Sequence, residues 1–96
     1  MQVKWTSKAL SDLNRLFEFL VKVNRQAAAK TVQSLTTAPI RIIEQPRIGE
    51  RLEEFEPREI RRLLVGRYEM RYEMRYELNN NVLYVLRIWH TREERY

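Results

Sequence analysis

Between Tyr68 and Leu78 the chain alternates large side chains and charges without a break. Tyr68, Met70, Tyr72, Met74, Tyr76 and Leu78 fall on one side, and Glu69, Arg71, Glu73, Arg75 and Glu77 on the other. A helix, with 3.6 residues per turn, would scatter these tyrosines and methionines around its circumference, whereas a strand with its two-residue repeat sorts them. The stretch from Glu59 to Trp89 therefore reads as a three-stranded antiparallel meander with this segment at its centre. Gly66-Arg67 supplies a two-residue hairpin, with glycine providing positive φ at its first position. Asn79-Asn80-Asn81 supplies the second turn, asparagine being the non-glycine residue most tolerant of left-handed backbone. With all three asparagines in the loop, Leu78 faces Val82, Tyr76 faces Tyr84, Met74 faces Leu86 and Tyr72 faces Ile88. That all-apolar face selects this register over its one-residue neighbours, and the opposite face then carries a Glu73 to Arg87 pair.

The tetrapeptide YEMR occurs at Tyr68 to Arg71 and again at Tyr72 to Arg75, followed by the partial copy Tyr76-Glu77. Four is even, so an added copy leaves every later side chain on its original face. The duplication is expected to lengthen the strand rather than loop out, since a loop would leave large side chains in water at about 1.5 to 3 kcal/mol each. The preceding strand is then too short to pair along the whole length, and the far end is covered only by the last strand.

Upstream, Gln2 to Thr6 alternates as a short first strand, and Thr6 or Ser7 can cap the helix that follows. From Ser7 to about Val23, Leu10, Leu13, Leu16, Phe17 and Leu20 form an apolar stripe, with Lys8, Ser11, Asp12, Arg15, Glu18 and Lys22 on the wet face. Asn24 reads as the cap of a second helix whose stripe passes through Ala28, Val32, Leu35, Ile42 and Ile43, with a break or kink expected near Thr37-Ala38 ahead of Pro39. Gln45 to Pro57 reads as the one long loop, with a short edge segment at Arg51 to Phe55. His90 to Tyr96 (HTREERY) is a charged tail. The order implies a single α+β domain over residues 1–96, two layers deep. Its antiparallel sheet consists of an N-terminal strand and the three-stranded C-terminal meander, with a two-helix hairpin across one face. The first strand joins at an edge, beside either the last strand or the middle of the meander.

At this length a domain buries only about 60 to 65% of the surface its unfolded chain exposes. There is no cysteine, which excludes disulfides and thiolate metal sites. No stretch has signal-peptide or membrane-spanning character, so the expected location is cytoplasmic, with no membrane partner. The formal charge is +5, and 14 of the 18 cations are arginine. This favours acidic partners met by bidentate contacts. No glycine-rich phosphate loop, metal-ligand spacing or nucleophile elbow occurs, so no cofactor and no metal are expected.

KALSDLNRLFEFL, PRIGERL, REIRRLLVGRYEMRYE and VLYVLRIWHTREER, in this order and spacing, resemble the ParE/RelE superfamily of toxins from type II toxin–antitoxin modules, and within it the ParE-like branch. The resemblance implies a compact basic toxin neutralised by a cognate antitoxin that wraps it with an acidic segment. It implies DNA gyrase as the target, with DNA reached only indirectly through the antitoxin complex. The alternative is a ribosome-dependent mRNA endoribonuclease of the RelE type.

RNA cleavage by 2′-hydroxyl attack needs a base, an acid and phosphate-binding cations. The matching region offers Arg61, Arg62 and Arg87 on strands, with His90, Arg92 and Tyr96 beyond. His90 is the sole histidine and the natural acid or base. If the chain is a nuclease, Arg61, Arg87 and His90 are its catalytic candidates. If it is a gyrase inhibitor, Arg87, His90, Arg92 and Arg95 are the target-binding candidates, and no catalytic residue is needed. The plainer reading makes Arg61, Arg71 and Arg75 part of a solvated salt-bridge ladder, with Tyr72 and Tyr76 in the core.

Overall fold

A computed structural model describes residues 1–76 and 78–93. Arg95 and Tyr96, both singled out above, lie outside the described residues. The elements run β1 (Gln2–Trp5), α1 (Ser7–Val23), α2 (Arg25–Glu44), β2 (Glu50–Arg51), a single 3-10 turn (Glu53–Phe55), β3 (Ile60–Val65), β4 (Tyr68–Tyr76) and β5 (Asn81–His90). The five strands form one sheet in the order β1-β5-β4-β3-β2. The two-layer α+β arrangement with a helical hairpin and a C-terminal meander is therefore present. The sheet is mixed rather than wholly antiparallel, because β1 joins at the edge beside β5 and runs parallel to it. A helical crossover between β1 and the rest of the chain permits this direction, which a tight turn would not.

Both helices start where capping chemistry places them. The Thr6 hydroxyl accepts from the Ala9 amide, and the Asn24 side chain accepts from the amides of Gln26 and Ala27, each satisfying an amide that the first turn leaves without a partner. The expected break before Pro39 does not form, and α2 runs through it. Leu35, Ala38 and Ile42 are all buried, so docking of both halves on one core offsets the lost backbone hydrogen bond. In α1 the expected faces are partly wrong. Leu10 and Phe17 are exposed and Asp12 is buried. The expected edge segment at Arg51 to Phe55 is β2 followed by the 3-10 turn.

The Gly66-Arg67 turn is as expected. Val65 stands opposite Tyr68, Gly66 has φ +60°, and no other described residue has positive φ, the pattern of a II′ hairpin. The second turn differs. β4 ends at Tyr76, Asn81 already pairs with it as the first residue of β5, and Leu78 is fully exposed.

Tyr72 faces Val85, not Ile88, and Met74 faces Leu83, not Leu86. Glu73 faces Tyr84 and makes no pair with Arg87. The register shifts between Arg71 and Tyr72 and leaves Leu86 without a partner in β4, a bulge that changes which parity of β5 faces the helices. The core accordingly joins Met70, Tyr72 and Met74 to Leu83, Val85 and Ile88, under Leu16, Leu35 and Ile42 from the helices. Tyr76, expected in the core opposite Tyr84, is exposed instead. Both YEMR copies lie within β4. Its partners in β3 stop at Glu73, the Met74 amide still donates to the Glu59 carbonyl just ahead of β3, and Arg75 and Tyr76 pair with β5 alone.

Candidate functional site

The end of β5 and α1 enclose a cleft of about 730 Å³, whose apolar wall is formed by Leu16, Phe19, Leu20 and Tyr68. Arg15, Arg67, Arg92, Glu93 and His90 supply its polar rim. His90 stands edge-on to Tyr68, with ring centres 5.3 Å apart. Its Nδ1 accepts from the Arg92 amide at 3.1 Å, so in this arrangement any ring proton sits on Nε2. The turn that carries Arg92 is fastened twice by Glu93, which accepts from the His90 amide and forms an ion pair with Arg15 on α1.

The other candidates lie elsewhere. Arg61 stands opposite Tyr72 and shares the helix-covered side of the sheet, where its guanidinium pairs with Glu59 and donates to the Gly49 carbonyl at 2.8 Å. Arg87 stands opposite Arg71, on the far side. His90 stands opposite Tyr68, on the helix side, but two strands from Arg61 and about 13 Å further along. Arg61, Arg87 and His90 are therefore not brought together.

Asp12 is the functional-looking residue that sequence reasoning missed. Its carboxylate receives two hydrogen bonds from the Arg87 guanidinium, at 2.8 and 3.1 Å, and a third from the Ile88 amide at 2.9 Å. The cause is the shortness of β1. β1 ends at Trp5, so β5 beyond Val85 has an open edge, and the start of α1 closes it: Thr6 donates its hydroxyl to the Leu86 carbonyl and Asp12 takes the Ile88 amide. Burial by itself would raise the Asp12 pKa. The bonds from Arg87 and Ile88 outweigh it and hold the carboxyl below its ordinary value. A sequence signal existed, because Asp12 follows Ala9 by three residues and precedes Leu16 by four, which puts all three on one helix face.

On the sheet face opposite the helices, arginine side chains lie over aromatic rings. Arg71 lies over the rings of both Phe55 and Trp89, Arg87 over Trp89, and Arg75 over Tyr84. Beneath them Glu69 and Glu73 are buried. Glu73 is held below the ordinary glutamate pKa, first by its hydrogen bonds from Arg58 and then by the charges of Arg58 and Arg75, against the opposing effect of burial. The sequence expectation of a solvated ladder thus holds for neither Arg61 nor Arg71, both of which are largely covered.

This strand order with a helical hairpin on one face is the fold of the ParE/RelE class of toxins. A solved structure titled "Chromosomal ParDE TA system from P. aeruginosa" superposes with a TM-score of 0.67, at 24% identity, over 94% of this chain and 95% of that one. The sequence matches the family described as "ParE toxin of type II toxin-antitoxin system, parDE" over residues 3–95. The chain belongs to that family, and a cognate antitoxin partner is implied by it. No curated protein matches the chain.

Proposed function

We propose that this toxin inhibits DNA gyrase in the cytoplasm without itself being an enzyme, and that a cognate antitoxin neutralises it through an acidic segment. The observation that carries the non-enzymatic reading is the separation of Arg61, Arg87 and His90 across two faces of the sheet. General acid–base catalysis needs its groups within about 3 Å of one reacting centre, and Arg61 and Arg87 are already committed to Glu59 and Asp12. The cleft beside His90 suits the antitoxin, because its apolar wall accepts hydrophobic anchors while Arg15, Arg67 and Arg92 at its rim meet carboxylates. Arg92, with Arg95 beyond it in the sequence, remains the candidate contact to the target.

Expression from a tightly controlled promoter tests the target. The expected outcome is double-strand DNA breaks and an SOS response before translation falls. Rapid mRNA cleavage with arrested translation and no SOS response would overturn the gyrase reading in favour of the ribosome. Growth inhibition should weaken when Arg92 and Arg95 are both changed to Ala at equal soluble protein, and unchanged inhibition would remove the tail from the mechanism.

A further inference from the structure

We propose that the hollow between α2 and the β3–β4 hairpin is a binding site for a small phosphomonoester with an apolar or aromatic body. Lys30, Thr31 and Ser34 line it from one face of α2, and Gly66 and Arg67 line it from the hairpin turn, around a volume of about 350 Å³. That volume lies at the small end of the range for ligand pockets and suits a compact molecule. The charge of the hollow sets it apart. Elsewhere on the sheet arginines are matched by acids: Arg58 by Glu73, Arg62 by Glu50 and Glu69, and Arg87 by Asp12. No carboxylate lines this hollow, and among the described residues neither Lys30 nor Arg67 makes an ion pair.

The uncharged polar groups are unspent as well. Further along α2, Thr36 and Thr37 turn their hydroxyls back to the carbonyls of Val32 and Gln33, a common use of such side chains within a helix. The hydroxyls of Thr31 and Ser34 make no hydrogen bond among the described residues, and neither do the amides of Gly66 and Arg67. A β-carbon on Gly66 would meet nothing within 4 Å, so the turn is open to close approach by a ligand. Ammonium, guanidinium, hydroxyls and amides can all donate, which selects a ligand that only accepts. A phosphomonoester offers three acceptor oxygens and a charge of about −1.5 to −2 at neutral pH. Arg67 can fork onto two of those oxygens while Lys30 adds a point charge. Leu35, Val65 and Tyr68 supply an apolar wall for the rest of the molecule. Arg67 and Tyr68 also line the cleft beside His90, so Lys30, Thr31 and Ser34 are what distinguish this hollow from that one. The inference rests neither on the proposed target nor on the proposed antitoxin contacts.

The test is a titration of the isotope-labelled full chain with phenyl phosphate, inorganic phosphate and phenyl sulfate at constant ionic strength and neutral pH, followed by amide chemical shifts. Phenyl phosphate should move the Gly66 and Arg67 amides to saturation. Inorganic phosphate should move the same amides with about fivefold weaker affinity, because it has no apolar body to bury. Phenyl sulfate should bind about tenfold more weakly, because it lacks the second charge. Lys30→Gln should weaken phenyl phosphate about fivefold and Arg67→Gln about tenfold, and Lys30→Arg should restore most of the loss. Both side chains are exposed, so an unchanged melting temperature is expected for each variant. Arg41→Gln removes the same charge from an exposed position elsewhere on α2 and should leave affinity unchanged. The proposal is overturned if the saturating shifts fall on His90 and Arg92 rather than on Gly66 and Arg67, or if Lys30→Gln binds as the natural chain does. It is equally overturned if Arg41→Gln costs as much as Lys30→Gln, if phenyl sulfate or inorganic phosphate matches phenyl phosphate, or if no ligand saturates the shifts in the millimolar range.

Discussion

Both faces of the sheet hold buried side chains, by opposite means. On the helix side Met70, Tyr72, Leu83, Val85 and Ile88 are sealed by apolar side chains from α1 and α2. On the other side Glu69 and Glu73 are almost as inaccessible, yet their cover is a layer of arginines lying on aromatic rings. The first face gains from removing apolar area from water, at roughly 25 cal/mol per Å². The second gains little from burial itself, because desolvated charges must be matched by partners to break even. Low exposure therefore says nothing about which force is at work until the covering groups are named.

Cutting into the helix face should have the largest effect. Leu83→Ala removes a fully buried side chain from the centre of the core and should destabilise by about 2 to 5 kcal/mol in chemical denaturation. Asp12→Ala comes next, at about 2 kcal/mol. It strands the Ile88 amide and the Arg87 guanidinium, though Arg87 is exposed enough to recover some hydration. A loss as large as that of Leu83→Ala would mean that a paired charge at the edge between α1 and β5 counts for as much as the apolar core.

The same contrast has a pH signature. Asp12 and Glu73 are held below their ordinary pKa values in the folded protein. Their contribution is complete above the unfolded-state values of about 3.9 and 4.3 and is lost as pH falls through the lower folded-state ones. The melting temperature should therefore drop steeply below about pH 4.5, and Asp12→Asn should flatten that drop while also lowering stability at pH 7.

Tyr72→Phe probes a polar contact inside the apolar face. The Tyr72 hydroxyl donates to the Pro46 carbonyl and accepts from the Gly49 amide, tying the 45–49 loop to the sheet, and a β-carbon on Gly49 would collide with that ring. Its loss should cost about 1 to 2 kcal/mol and quicken amide exchange at Gly49. Arg75→Ala, on an exposed arginine, should change stability by less than about 0.5 kcal/mol. A larger loss would mean that the covering layer acts as a cooperative unit.

Local chemistry made much of this legible in the sequence. The β4 alternation, the Gly66 turn and the caps at Thr6 and Asn24 depend on near neighbours and were recovered. The β5 register was not, because Val82 to Leu86 is apolar or aromatic at both parities, so either phase offers a plausible buried face. The bulge that settles it is fixed by Thr6 and Asp12, some 75 to 80 residues away in the chain. The same distance hid the burial of Asp12. Pro39 misled for the converse reason, since tertiary docking of α2 overrode a local preference. Arg61, Arg87 and His90 could be chosen by residue type, but the side of the sheet each occupies depends on that register.

The parallel pairing of β1 with β5 governs the order in which the molecule can be made. Gln2 finds its neighbour only at Val82, so a ribosome adding about 5 to 20 residues per second leaves the first strand waiting roughly 4 to 16 s for the last. During that interval α1 and α2 can form, but the apolar residues of β1 and β4 lack the strand that lies between them in the finished sheet. A transcript cut short before Val82 would yield a chain missing the common neighbour of both, prone to clearance by proteases. The harmful form of this protein can thus exist only after β5 has been made.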